Sequence, residues 1–587
     1  MPIKQYEFIE IPVKDIEARI QLPHFQRGLV WTTQKKNDFI LTLKEGLPFG
    51  SILVYPETSE ASSRLLILDG QQRLSTILEY RKKPLSFWKP INSARYKSEL
   101  DKLNKLLPDN LKLDEANFDG FINEALSNQS SNQFNDYIDE VQSSSLRKQV
   151  RDLFTDIKNQ ILSYLDVNEL FIPAIKFTGD KTRIADVFAN LNKGGVPLSK
   201  YEVFSASFEY TKIQLAPAGT APVQDEILNN VKLYYLQMRD KAEFDVAGFS
   251  EDELTATRTI TLAELAKALG KYLQDHLKPL VTQTEKAASE MGFSLLGIAV
   301  NIHNKNLNEL DKHFGYIQNN LELILEKTER ICTNLNDAFS VLLKVVKSSK
   351  SDEYAPGLNT NFKTLSYFAA LWNLDPDSNE YRTSLKNIRA YYLYDDLVKI
   401  WSNAGDERLY GYQGDSPRFT YLKPLEQSDF ISAHENWNGY TQGINFSAET
   451  KAIAAIHANL TYLADNIPQG DSFEMEHIVA RSILNQYESS GHRQIYGGCL
   501  GNCMFLPKQL NNKKKAKTLH DESIKTLYDV NGQAKYSKVI ERSLYFSENE
   551  FSQIDAALER RDPESVNQLL RERGERVLLD TASKLLE

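Results

Sequence analysis

At 587 residues the chain is too long for one hydrophobic core, and roughly three or four domains are expected. A hydrophobic fraction of 41% and a charged fraction of 25% exclude a fibrous or disordered protein. The net charge of −10 excludes a protein that coats nucleic acid indiscriminately, because phosphate binding rests on accumulated Lys and Arg, but it leaves room for a local basic groove.

The start, MPIKQYEFIEIPVKDI, has no apolar run behind a basic head, and no window of about eighteen apolar residues occurs, so a cytosolic protein without a membrane span is expected. Cys332, Cys499 and Cys503 are too few for a disulfide framework, and the Cys499/Cys503 pair lacks a second pair for structural zinc. Reduced, buried thiols are expected.

In chain order, SILVY (51–55) and LLIL (65–68) read as short strands bounded by turn residues. Leu74, Ile77 and Leu78 then fall at helical spacing, giving strand, tight turn, helix across ILDGQQR (67–73). Gly70 allows the turn and close backbone approach. A helix opening with Gln71, Gln72 and Arg73 aims unpaired N–H groups and a guanidinium at one spot, where a phosphate would be held. Asp69 beside it suits a metal, a water or a ribose hydroxyl. The same five residues equally suit a helix start whose arginine makes a surface ion pair.

Residues 84 to about 168 are polar and helical, as an insertion would be. ELFIPAIKF (169–177) returns to strand character, and RIADVFANLNKGGVPLSKYEVF follows as helix, glycine turn, helix. LAPAGTAPVQ (215–224) is a loop or linker. The next two hundred residues are helical, with Leu321, Ile324, Thr328, Ile331, Leu335, Ala338 and Leu342 in one buried stripe. SSKSDEYAPGLN (348–359) and GYQGDSPR (411–418) are further loops, and there is no internal repeat.

Near the end, EMEH (474–477) puts a histidine next to a carboxylate at the end of a short strand. His477 is a candidate general base, since neutral imidazole accepts a proton near physiological pH. Glu476 points to the opposite face of a strand, so a bend is needed to bring both to one phosphate. A Glu-His pair alone equally suits a half-buried histidine bonded to backbone. LGNCMFLP (500–507) reads as a second strand with Asn502 at its head, and LNNKKKAK (510–517) begins a helix. Between Gly501 and Lys517 there are five lysines, Lys508, Lys513, Lys514, Lys515 and Lys517, and no acid. A lysine run is usually a solvated face. Beside a phosphodiester site it would bind duplex backbone without reading sequence. Arg560, Arg561, Arg571, Arg573 and Arg576 suit either backbone contacts or surface ion pairs.

PHFQRGLVW, DGQQR and FANLNKGGVPLSKYE (188–202), in this order, are similar to the ParB/sulfiredoxin-like domain of GmrSD-type modification-dependent (type IV) restriction enzymes. The resemblance lies at Gln26 and Arg27, at the whole of DGQQR, and at Asn192, Gly194, Gly195, Leu198, Ser199 and Glu202. It implies a domain that binds and hydrolyses an NTP, GTP or ATP, and senses modified DNA. Gln26, Arg27, Asp69, Gly70, Gln71, Gln72, Arg73, Asn192 and Gly194 are the nucleotide-binding set it suggests.

Glu-His-Ile, then Leu-Gly-Asn, then Leu-Asn-x-Lys resembles the HNH (ββα-metal) nuclease domain that accompanies such sensors. The resemblance implies His477 as general base, Glu476 as metal ligand, Asn502 as the residue that orients the imidazole, Asn511 as second metal ligand and Lys513 near the phosphates. Ala480 stands where a proline is usual, and Asn512 beside Asn511 competes for the metal role; the nine-residue interval from Asn502 favours Asn511. Protein oxygens completed by water and phosphate suit Mg²⁺ or Mn²⁺, with Glu474 as a weaker addition. Zinc would want more His or Cys.

The expected architecture is multidomain α+β: a ParB-like domain over 1–205 with its insertion at 84–168, a helical coupling region over 206–430, and an HNH domain embedded in helices over 431–587. The expected function is NTP-regulated endonuclease action on double-stranded, modified phage DNA in bacterial defence, with a homo-oligomer compatible. The rival is a nucleotide-gated DNA-binding or scaffold protein with a non-catalytic HNH fold. A third reading has the DGQQR domain transferring a nucleotide or phosphoryl group.

Overall fold

The computed structural model describes residues 5–22, 31–56, 64–127, 132–179, 208, 211–242, 249–344, 346–347, 353–354, 357–358, 360–437, 443–463, 473–489, 495–529 and 535–587. The chain is mixed α+β and divides into two compact units, residues 1–212 with 228–263, and residues 213–227 with 264–587.

The first unit is built on a five-stranded mixed sheet of β1 (Tyr6–Pro12), β2 (Ile20–Gln21), β3 (Ile52–Pro56), β4 (Leu65–Asp69) and β5 (Phe171–Phe177), in the order β1-β5-β3-β4-β2. A strand covered on both faces reads as an unbroken apolar run. The two such runs, ILVY and LLIL, occupy inner positions with four consecutive buried residues each. β3 is antiparallel to β4 and parallel to β5, while β1 pairs antiparallel with β5 from Tyr6↔Phe177 to Pro12↔Phe171. Two helices matter for the site, α1 (Thr33–Lys44) and α2 (Gln71–Lys82). The described residues between 84 and 162 include five α-helices around a core of their own that includes Trp88, Tyr96, Phe118 and Phe154.

The second unit is largely helical. In α3 (Leu321–Phe339) the stripe expected from spacing is buried at Leu321, Ile324, Thr328, Ile331 and Leu335. Further on come α4 (Asn379–Leu397), α5 (Gln427–Asn436) and α6 (Ala448–Leu460), then β6 (Phe473–His477), β7 (Cys503–Pro507) and α7 (Lys508–Lys514), and finally α8 (Glu548–Glu559) and α9 (Pro563–Leu586). The division expected near residue 430 does not separate compact units, because α9 packs on α4 before it and on α5, α6 and α8 around and after it. All three cysteines are buried and free, and burial pushes the Cys499 thiol up to about 11 and Cys503 higher still. Among the described residues no helix is long and apolar enough to cross a membrane.

Candidate functional site

In the first unit, β4 ends at Asp69, Gly70 turns the chain with φ +99°, and α2 starts at Gln71. Only glycine fits here: a Cβ on Gly70 would lie 2.4 Å from Ile52 Cγ2 and 3.2 Å from its Cα. Gly70→Ala is therefore expected to destabilise the fold by at least about 2 kcal/mol, from left-handed strain plus overpacking, read as a lowered urea midpoint. Gly70 has no side chain with which to cap α2, and the first-turn N–H groups of a helix attract an anion.

Arg73 is anchored rather than projecting. Its guanidinium pairs with Asp69, Nη2 to Oδ2 at 3.2 Å, and donates from Nη1 to the Phe49 carbonyl at 3.3 Å. Gly50, at φ +81°, makes room for it, since a Cβ there would meet Nη1 at 2.7 Å. Gln72 Oε1 accepts the Trp31 N–H at 3.0 Å, which brings the end of the LPHFQRGLVW stretch onto the DGQQR helix. Gln71 is the anomaly. It is 5% exposed, yet both atoms of its carboxamide are buried with no hydrogen-bond partner, and one turn on the Ser75 hydroxyl is likewise orphaned. Gln26, Arg27, Asn192 and Gly194, with Gly195, Leu198, Ser199 and Glu202, lie outside the described residues.

In the second unit, β6 and β7 pair antiparallel from Phe473↔Pro507 to His477↔Cys503, and α7 follows directly on β7. Alternation puts Glu474 and Glu476 on one face of β6. α7 lies against that face, with two residues one turn apart meeting the two carboxylates. Asn511 Nδ2 donates to Glu474 Oε2 at 3.1 Å, and Lys514 Nζ to Glu476 Oε1 at 2.8 Å and to the His477 carbonyl at 3.4 Å. Of the two residues expected as metal ligands, Asn511 thus meets Glu474, while Glu476 meets Lys514. Burial, with a smaller push from Glu474, raises the Glu476 pKa against the pull of Lys514.

His477 ends the strand, and its ring stacks on Phe446 with centroids 3.9 Å apart. Nε2 lies 2.7 Å from the Ile444 carbonyl oxygen, which can only accept. Nε2 therefore carries the proton and Nδ1 the lone pair. Burial holds the His477 pKa below the usual 6.5, helped by the charges of Arg481 and Lys514 and opposed by the bond to Ile444. The ring is neutral at physiological pH.

Two expected roles need correction. Asn502, 0% exposed, does not bond the imidazole: its Oδ1 accepts the Val479 N–H at 2.7 Å and its Nδ2 donates to the carbonyls of Gly497 at 2.8 Å and Val479 at 3.4 Å. With its amide engaged on backbone, Asn502 braces the turn after His477, and the Ile444 carbonyl takes the ring-orienting place. Lys514 is no DNA contact either, because it is 0% exposed beneath Glu476. Lys513, Lys515 and Lys517 are exposed and Lys508 partly so, with Lys517 bonded to Ser523 at 2.6 Å. Among the arginines, Arg576 pairs with Glu550 at 2.7 Å, while Arg573 is fully buried.

The comparisons with known proteins bear on the first of these sites. Residues 9–209, roughly a third of the chain, match the family described as GmrSD restriction endonuclease, N-terminal domain. The chain is also 25% identical to the uncharacterized protein MJ0686 of Methanocaldococcus jannaschii, over 34% of this chain and 41% of that protein. It thus spans about two-fifths of the length of the curated relative it matches. The uncapped helix, the glycine turn and the orphaned Gln71 fall inside the matched span, so it is residues 9–209 that are similar to the N-terminal domain of the GmrSD restriction endonucleases.

Proposed function

We propose that the chain is an NTP-regulated, metal-dependent DNA endonuclease of a modification-dependent restriction system, with the sensor at the DGQQR helix and the cutting site at β6, β7 and α7. The observation that carries the cutting site is the His477 ring: neutral, with its Nε2 proton fixed on Ile444, so that Nδ1 keeps the lone pair, at the end of the strand that bears Glu474 and Glu476.

The donor chemistry suits a hard divalent cation. Two carboxylates on one face, one ammonium against them and an amide beside them leave a single net negative charge. A divalent ion together with one phosphodiester would balance it. Among the described residues no group of three or more His, Cys, Asp or Glu is placed to hold a metal, so zinc finds no ligand set, whereas Mg²⁺ or Mn²⁺ completes its shell with water and phosphate. Glu474, Glu476 and Asn511 would hold the ion, which when bound supplies positive charge against the developing phosphorane. The chain's own groups do the rest. His477 Nδ1 takes a proton from the attacking water, Phe446 and Ile444 keep its ring in register, and Lys513 and Lys515 meet duplex backbone without reading sequence.

At the other site the orphaned Gln71 amide and the start of α2, with glycine at its N-cap, suit an NTP, Gln71 bonding a polar group and the helix N-terminus attracting a phosphate. Double-stranded modified phage DNA is the substrate this reading assigns, and GTP and ATP are both compatible.

One observation favours the rival reading of a nucleotide-gated DNA binder: Lys514 already neutralises Glu476. A Mg²⁺ titration on supercoiled plasmid, with and without each NTP, separates the two. Nicked or linear product supports the nuclease, and a mobility shift without any strand break sinks it. The pH dependence has a defined sign. Because the His477 pKa is lowered, the base stays competent as pH falls to 6.5, and the acid limb of the cleavage profile is expected below that value. A limb centred above 6.5 would assign the base to another group.

A further inference from the structure

Resting on the nuclease reading above, we propose that Arg573 on α9 is a positioning residue that sets the His477 turn through Asn502. The Arg573 side chain is 1% exposed and spends its guanidinium on five backbone carbonyls from two separate segments. Nε donates to Leu544 O at 2.7 Å and Nη2 to Ser543 O at 2.7 Å, while Nη1 reaches Gly501 O at 2.9 Å, Cys503 O at 3.3 Å and Leu500 O at 3.4 Å. Burying a guanidinium costs more than burying a leucine of the same helix stripe, so packing does not explain it. What it supplies is geometry: a rigid planar fork fixes the carbonyls on both sides of Asn502, which a flexible ammonium would not do.

From Asn502 the connection to the base is short. Its carbonyl accepts the Ile478 N–H at 3.0 Å and its side chain accepts the Val479 N–H at 2.7 Å, so both residues after His477 hang from Asn502. The α9 backbone also touches this segment directly. A Cβ on Gly501 would lie 1.6 Å from Leu570 O, and one on Gly574 would lie 3.1 Å from Gly501 N and 3.6 Å from its Cα. The same helix packs on α4, α5 and α6, so a shift of the helical bundle reaches the histidine by this path.

Gly574→Ala tests this in the full chain. The new methyl strengthens the helix while wedging Gly501 aside by a few tenths of an ångström. With plasmid DNA and Mg²⁺, turnover is expected to fall about tenfold at unchanged KM, given that about 1 Å of misplacement costs about a hundredfold. The melting temperature should not drop, and the His477 resonance of ¹³C-histidine-labelled protein should move. Arg573→Met should lose more and Arg573→Lys should recover little. Wild-type turnover and an unmoved His477 resonance in Gly574→Ala would overturn the proposal, as would a loss that merely follows the melting temperature. If the wild type cuts no DNA, the nuclease reading fails while the resonance still decides whether Arg573 and Gly574 position the ring.

Discussion

Replacing His477 by alanine is expected to lower DNA cleavage by at least about a hundredfold, the low end for loss of a general base, while NTP hydrolysis in the same preparation persists. The variant is clean for a structural reason. Among the described residues the ring makes one hydrogen bond, to the Ile444 carbonyl, and stacks on Phe446, so little else depends on it. Glu476→Gln is not clean. It would strip the partner from an ammonium that is 0% exposed, and breaking a buried pair costs about 3–5 kcal/mol, so lost cleavage there would be confounded with lost folding. Plasmid nicking at fixed Mg²⁺ and labelled NTP turnover, measured side by side, check the expectation. Cleavage near the wild-type rate would remove His477 from the mechanism, and loss of both activities together would mean that the substitution acts on the fold.

What the sequence makes legible here is local order, and what it hides is which face each residue takes. ILDGQQR reads directly as strand, turn and helix because the apolar run stops at a residue pair that only a tight turn accommodates, and the coordinates place Gly70 at that turn. The strand, strand, helix order of β6, β7 and α7 is equally readable from apolar runs. The lysine run is not, since Lys513, Lys514 and Lys515 are chemically identical and only the rotation of α7 against β6 decides that the middle one goes under. A signal did exist: Leu510, four residues before Lys514, is buried, so both share the inward face. Arg573 carries the same kind of signal. It sits among Val566, Leu570, Val577 and Thr581 in the buried stripe of α9, an address that a surface arginine does not have. The role of Asn502 depends on long-range bonds to Val479 and Gly497, and such partners leave no trace in spacing.

Gln71→Leu is expected to weaken NTP binding by about tenfold to a hundredfold, the worth of one hydrogen bond to a charged or polar group, without weakening the fold. The two halves of this expectation come from one observation. A carboxamide that is 5% exposed with both polar atoms unpaired costs the free protein about 1–3 kcal/mol for each unmet group. Leucine has nearly the same volume and helix propensity, so the substitution removes that cost while keeping the packing. Urea midpoints in the absence of nucleotide should therefore rise or hold, and titration calorimetry with GTP or ATP should show the weakened binding. A destabilised variant would mean that the amide already has a partner, a buried water for instance, in the free protein. Undiminished affinity would detach Gln71 from the nucleotide and leave only the α2 N-terminus to hold it. The opposite signs are the point: a residue kept for stability loses both properties when replaced, whereas one kept for a ligand yields a sturdier protein that binds less.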